Sequence, residues 1–211
     1  MKNIIWLLVL LSIGHLTLAT STDFTGVYSY SKGINKANST IYICQFKEDS
    51  AFVYVQAVSG MPDFFTTDEK GFATLIDHQF TMKTKENCVI TFEMNSNVLT
   101  CTDNIDCKYE FSVAGKYKKT MPHQARGHST NGLKKGATMM FQFIEKMGTI
   151  NKDSTVSYQA PHADAKTIFT YSKNDILKIQ DEFNGYYLVE NSKQKNEFQW
   201  VLKKYINLIA K

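Results

Sequence analysis

Along most of the chain, apolar and polar positions alternate in short runs, and turn-forming residues break the runs every few positions. After Phe24 come Gly26-Val27-Tyr28-Ser29-Tyr30, then Ser39-Thr40-Ile41-Tyr42-Ile43-Cys44-Gln45-Phe46, then Ala51-Phe52-Val53-Tyr54-Val55-Gln56-Ala57-Val58. Each run is rich in β-branched and aromatic residues and closes on a polar cluster such as Lys47-Glu48-Asp49-Ser50 or Ser59-Gly60-Met61-Pro62. Such runs between turn signals predict strands joined as hairpins. Gly71-Phe72-Ala73-Thr74-Leu75-Ile76 and Gln79-Phe80-Thr81-Met82 continue the series. Val89-Ile90-Thr91-Phe92 and Asn97-Val98-Leu99-Thr100 read as a hairpin around Met94-Asn95-Ser96, and a last strand is expected over 109–117. Short strands in this number, with no helix-period segment, predict an antiparallel barrel or sandwich over residues 20–119.

The opening Phe24-Thr25-Gly26-Val27-Tyr28 is echoed by the closing Val113-Ala114-Gly115-Lys116-Tyr117, each with Gly two residues before Tyr. In a closed sheet the first and last strands pair, and glycine would let the backbones approach there. Residues 120–136 are polar and turn-rich, which predicts a linker. Ala137-Thr138-Met139-Met140-Phe141-Gln142-Phe143-Ile144 fits a strand or a short helix, its aromatics favouring strand.

The second half returns to alternation. It contains Gly148-Thr149-Ile150-Asn151, Val156-Ser157-Tyr158-Gln159-Ala160-Pro161, Asp175-Ile176-Leu177-Lys178-Ile179, Gly185-Tyr186-Tyr187-Leu188-Val189 and Trp200-Val201-Leu202-Lys203-Lys204-Tyr205-Ile206. The order of these pieces resembles a bacterial SH3 (SH3b) domain, which implies a small five- or six-stranded barrel over 137–211. The chain departs from that family where Gln159 stands in place of the usual arginine, Gln199 in place of a glycine before Trp200, and Asn174 in place of a glycine before Asp175. Asn tolerates the left-handed turn conformation, so the fold survives the last change. The first half resembles the small calycin-like or lysozyme-inhibitor-like β-domains of exported bacterial proteins.

Compartment follows from the N-terminus and the cysteines. Lys2, the apolar run 4–11 and Thr17-Leu18-Ala19 have the layout of a secretory signal peptide over 1–19, with an apolar core too short for a stable membrane span. Export, periplasmic or secreted, permits disulfides, and Cys44, Cys88, Cys101 and Cys107 make an even count. Their spacing lacks the Cys-x-x-Cys pairs of structural zinc. The hairpin register predicts Cys88–Cys101, leaving Cys44–Cys107.

The chain carries 24 Lys and Arg against 20 Asp and Glu, and the second half holds the excess. That tilts its partner toward an anion, while the absence of an arginine cluster argues against nucleic acid. No Gly-x-Ser-x-Gly, His-Glu-x-x-His or P-loop pattern is present, and no cofactor is called for. His123 and His128 fall in the linker, and His78 and His162 read as solvent-facing turn residues. SH3b modules often accompany cell-wall hydrolases, but a papain-like partner needs a spare thiol on a mixed scaffold. The expectation is a non-enzymatic binding protein. If the likeness holds, Tyr158, Tyr187 and Tyr205 form an outward groove, with Trp200 at its edge or in the core. A tyrosine groove suits extended peptides, including a peptidoglycan stem, or a protein partner. The alternative is an inhibitor or immunity protein that neutralises a lysozyme-like or wall-degrading enzyme.

Overall fold

The structure is a computed structural model, and it describes residues 23–31, 38–59, 66–84, 87–107, 112–121, 146–190 and 198–209. The expected signal peptide, most of the 120–136 linker and the 137–144 segment lie outside these residues. The described residues contain no α-helix, and none of their segments is a helix long and apolar enough to cross a membrane.

Eight strands form a closed antiparallel barrel: β1 (Gly26–Ser31), β2 (Asn38–Lys47), β3 (Ser50–Val58), β4 (Thr66–Ile76), β5 (Gln79–Lys83), β6 (Val89–Asn95), β7 (Val98–Asp103) and β8 (Gly115–Met121). Each strand pairs with the next, and β1 closes the ring against β8, with Tyr28 opposite Lys119. Inward positions supply Phe24, Tyr28, Phe80, Met82, Ile90, Phe92, Leu99 and Tyr117, all buried in one cluster. Eight strands leave an interior about wide enough for side chains, and here those side chains fill it.

The strands that carry the two Gly-x-Tyr ends do pair, but not at their glycines, since Tyr28 lies opposite Lys119 and Gly115 opposite Cys101; the feature the two ends share lies in the tyrosine. The Tyr28 hydroxyl donates to the Phe24 carbonyl at 2.7 Å, and the Tyr117 hydroxyl donates to the Val113 carbonyl at 2.6 Å. Each ring thus ties its strand to the segment four residues upstream, as in the tyrosine corner of β-sandwiches. A Cβ on Gly115 would meet only Tyr117, at an ordinary 3.6 Å, so crowding is not what that glycine relieves. The last strand begins at Gly115, and Ser112–Ala114 lie outside it. Asn38-Ser39-Thr40, which fits a glycosylation acceptor or a turn by sequence, opens β2, and Ser39 is buried against the Tyr117 hydroxyl.

The disulfide pairing differs from expectation. The β6–β7 turn is Ser96-Asn97, with Asn95 opposite Val98 and Ser96 at φ +59°, and Cys101 therefore faces Phe92. That register carries Cys88 past the end of the hairpin, where it bonds Cys107. Cys44 and Cys101 remain free thiols, both buried.

The second module is a seven-stranded sheet made of β9 (Lys146–Ile150), β10 (Thr155–Tyr158), β11 (Thr167–Tyr171), β12 (Ile176–Phe183), β13 (Tyr186–Glu190), β14 (Phe198–Leu202) and β15 (Ile206–Ile209). Its order is β11-β10-β14-β13-β12-β9-β15, so β11 and β15 are the edges. Asn184 and Gly185, both at positive φ, make the two-residue turn that pins β12 to β13. Asn174 adopts φ +70°, as its place in the chain predicts. Ile150, Tyr171, Leu177, Ile179, Val189, Val201 and Ile206 form this module's own core.

Candidate functional site

Several strands are buried on both faces. In β3, Ala51, Val53 and Val55 point into the barrel while Phe52 and Tyr54 belong to a second cluster outside it. In β13 and β14, Val189 and Val201 face their own module's core, while Tyr186, Leu188, Phe198 and Trp200 join that same outer cluster. The barrel wall (Val27, Tyr42, Cys44, Phe52, Tyr54) and the aromatic face of the second sheet are thus packed against each other. Trp200 meets Phe52 edge to face, with ring centroids 5.4 Å apart.

Polar contacts frame the junction. The Tyr42 hydroxyl donates to the Gln159 carbonyl at 2.9 Å, and Lys47 pairs with Asp164 at 2.6 Å. Lys70 of β4 pairs with Asp181 of β12. The Tyr54 hydroxyl, on the same side, donates to Asp68 at 2.9 Å. Burial raises the Asp68 carboxyl above its ordinary pKa, against the lowering effect of the Tyr54 hydrogen bond. Burial also pushes the Cys44 thiol up to about 12. His162 is not a free surface residue: its ring stacks on Phe46 at 4.4 Å, and its Nδ1 accepts the Asp164 N–H. His78 is exposed, in the β4–β5 turn; His123 and His128 lie outside the described residues.

The four candidate groove residues are distributed over different surfaces. Trp200 is 3% exposed in the junction. Tyr158, paired across from it in the strand register, lies at the junction's margin against Tyr186. Tyr187 is on the opposite side of β13, packed at the edge of the module core with the Lys203 ammonium 4.9 Å from its ring. Tyr205 sits in the 3-10 turn Lys203–Tyr205 that leads into β15, half-buried between Lys204 at 5.0 Å and Lys152 at 5.6 Å. Such lysine-over-ring pairs are worth about 0.5–1 kcal/mol at exposed positions.

The sequence grouped Tyr158, Tyr187 and Tyr205, with Trp200 at the edge or in the core, into one outward groove, and it did not reveal that the barrel covers the face carrying Trp200. The signal was present in unbroken runs such as Ile41-Tyr42-Ile43-Cys44 and Ala51-Phe52-Val53-Tyr54-Val55. A strand with one wet face alternates, whereas a strand buried on both faces does not. Among the described residues, no group of three or more His, Cys, Asp or Glu is placed to hold a metal ion. No protein-family model matches this chain, and no curated protein matches it.

Proposed function

We propose that this chain is an exported, non-enzymatic binding protein whose C-terminal SH3-like module contacts a peptide or a peptidoglycan stem carrying carboxylates. The observation that carries the reading is Tyr205, a half-buried ring flanked by the ammonium groups of Lys152 and Lys204 and not part of the Trp200 junction cluster. A ring offers flat contact area with a hydrogen-bonding tip, and the two cations favour an acidic ligand. The free Cys44 and Cys101 are both buried, one at the junction and one in the barrel core, which supports a packing role for each. The test is retention of the full mature chain on purified sacculi, eluted with salt. Retention that falls when Tyr205→Ala is combined with Lys152→Glu is expected, and no retention of the unmodified chain overturns the reading.

The packed junction favours one alternative, an inhibitor of a wall-degrading enzyme. Two modules held as one body present a composite, preorganised surface of the kind protein inhibitors use. A stoichiometric loss of lysozyme activity on adding the mature chain, undisturbed by Tyr205→Ala, would establish this reading over the first.

A further inference from the structure

Among the described residues, the second sheet has an edge without the usual protections. The β15 strand, Ile206-Asn207-Leu208-Ile209, contains no charge, no proline and no bulge in its pairing with β9, and Leu208 and Ile209 are 53% and 45% exposed. The other edge, β11, follows Lys166 and meets β10 through a register shift at Ser157/Tyr158. Native edges are blunted by charges and bulges of that kind because unpaired N–H and C=O groups invite another strand. The direction of the β15 groups follows from the ladder. Asn151 donates to the Tyr205 carbonyl, whereas the Ile150 N–H turns the other way, to Asp175 of the β12 side. Hydrogen-bonded pairs alternate along an antiparallel ladder, so Asn207 and Ile209 bond to β9 while the main-chain groups of Ile206 and Leu208 turn away from it; the Ile206 N–H donates to the Lys203 carbonyl, which leaves the Leu208 N–H and the carbonyls of Ile206 and Leu208 facing outward.

We propose, resting on the binding reading above, that the β15 edge is where an extended, carboxylate-bearing peptide docks, adding itself as an eighth strand. Main-chain bonds to the Leu208 N–H and to the Ile206 and Leu208 carbonyls supply the pairing, and the half-exposed Leu208 and Ile209, with exposed Ile176 on the neighbouring strand pair, receive alternate apolar side chains. Charge selects the occupant. Lys152 and Lys204 lie around Tyr205 at the start of β15, and exposed Lys146 lies next to Met147, which pairs with Ile209 at its end. Asp153, the nearest acid in the turn, is engaged with the Lys173 amide. A second copy pairing about a two-fold axis at Asn207 would set Lys152 and Lys204 of one molecule toward Lys146 of the other, a like-charge encounter; an acidic peptide meets cations at both ends.

The test is selection of a displayed library of short random peptides on the full mature chain. Enriched peptides are expected to alternate apolar residues and to carry Asp or Glu near an end. Their affinity should fall about tenfold or more with Leu208→Lys, and likewise when alternate peptide nitrogens are methylated in one register but not the other. Leu208→Pro is the second variant: it removes an outward amide and no bond to β9, so it should abolish binding with an unchanged circular dichroism spectrum. Selected peptides that bind both variants as tightly as the parent overturn the edge assignment while leaving the binding reading in place. A concentration-dependent dimer in sedimentation, abolished by Leu208→Lys, also overturns it, because a second copy then owns the edge. Failure to enrich any peptide overturns it as well, and if sacculus retention is also absent the binding reading falls with it.

Discussion

The smallest devices with large consequences are the two buried tyrosine hydroxyls. Tyr28 and Tyr117 are almost fully buried, and each donates to a carbonyl four residues back. Removing the hydroxyl leaves that carbonyl without this donor in a dry core, so Tyr28→Phe and Tyr117→Phe should each cost about 1–3 kcal/mol, read as a lower urea midpoint at unchanged slope. Tyr117→Phe should cost more, because its hydroxyl also meets Ser39 at 2.9 Å. The Gly-x-Tyr spacing was legible as a repeat, whereas the hydroxyl's partner depends on the chain entering each strand from a buried Phe24 or Val113, which no local pattern encodes. A knot of the same kind around Gln199 was invisible from sequence. Its Oε1 lies 2.6 Å from Ser157 Oγ and 3.1 Å from the Tyr171 hydroxyl, and its Nε2 is buried without a partner. The polar Gln simply stands inside an apolar run.

At the scale of elements, β15 depends on a glycine it covers. A Cβ on Gly148 would sit 2.5 Å from Ile206 Cγ2 and 3.2 Å from the Asn207 carbonyl oxygen. The side-chain clash falls on a buried methyl, so Gly148→Ala must push β15 off β9 or distort Ile206. Overpacking of this kind costs about 1–3 kcal/mol, and amide exchange should show it confined to 146–150 and 206–209. The two-residue turns explain what the pattern could and could not reveal about pairing. Asn184-Gly185 is a strong hairpin signal, and the β12–β13 pair follows it. Ser96-Asn97 carries no such signal, and a turn centred one residue and a half away moved Cys101 from Cys88 to Phe92. Peptide mapping without reduction should recover Cys88 joined to Cys107, with Cys44 and Cys101 alkylated only after denaturation; a Cys88–Cys101 peptide would refute the register.

For the whole molecule, the junction between barrel and sheet decides whether the modules act separately. Trp6 and Trp200 are the only tryptophans of the chain, so a mature form cleaved after Ala19 carries Trp200 alone. Its emission should be blue-shifted in the native protein and move red in the same transition that exposes Cys44 to alkylation. Trp200→Ala opens the junction at its centre, at a cost of about 3–5 kcal/mol, and should let Cys44 react while Cys101, inside the barrel, stays protected. Acid loads this junction with opposing effects. The Lys47 ion pair holds the Asp164 carboxyl below the usual range, and outside the junction, opposite Tyr187, Lys203 does the same for Glu182. Their contributions are present above the unfolded pKa and are lost as pH falls through the depressed folded values. Asp68 runs the other way: its raised folded pKa means the charged form is a liability above that value, relieved as acid protonates it. Asp68→Asn keeps an acceptor for the Tyr54 hydroxyl and removes the charge. The variant should therefore melt higher than the parent near neutral pH, and the difference should shrink as pH drops through the Asp68 transition. Parallel melting curves at every pH would mean that Asp68 is fully hydrated and that the rim of the junction is wet.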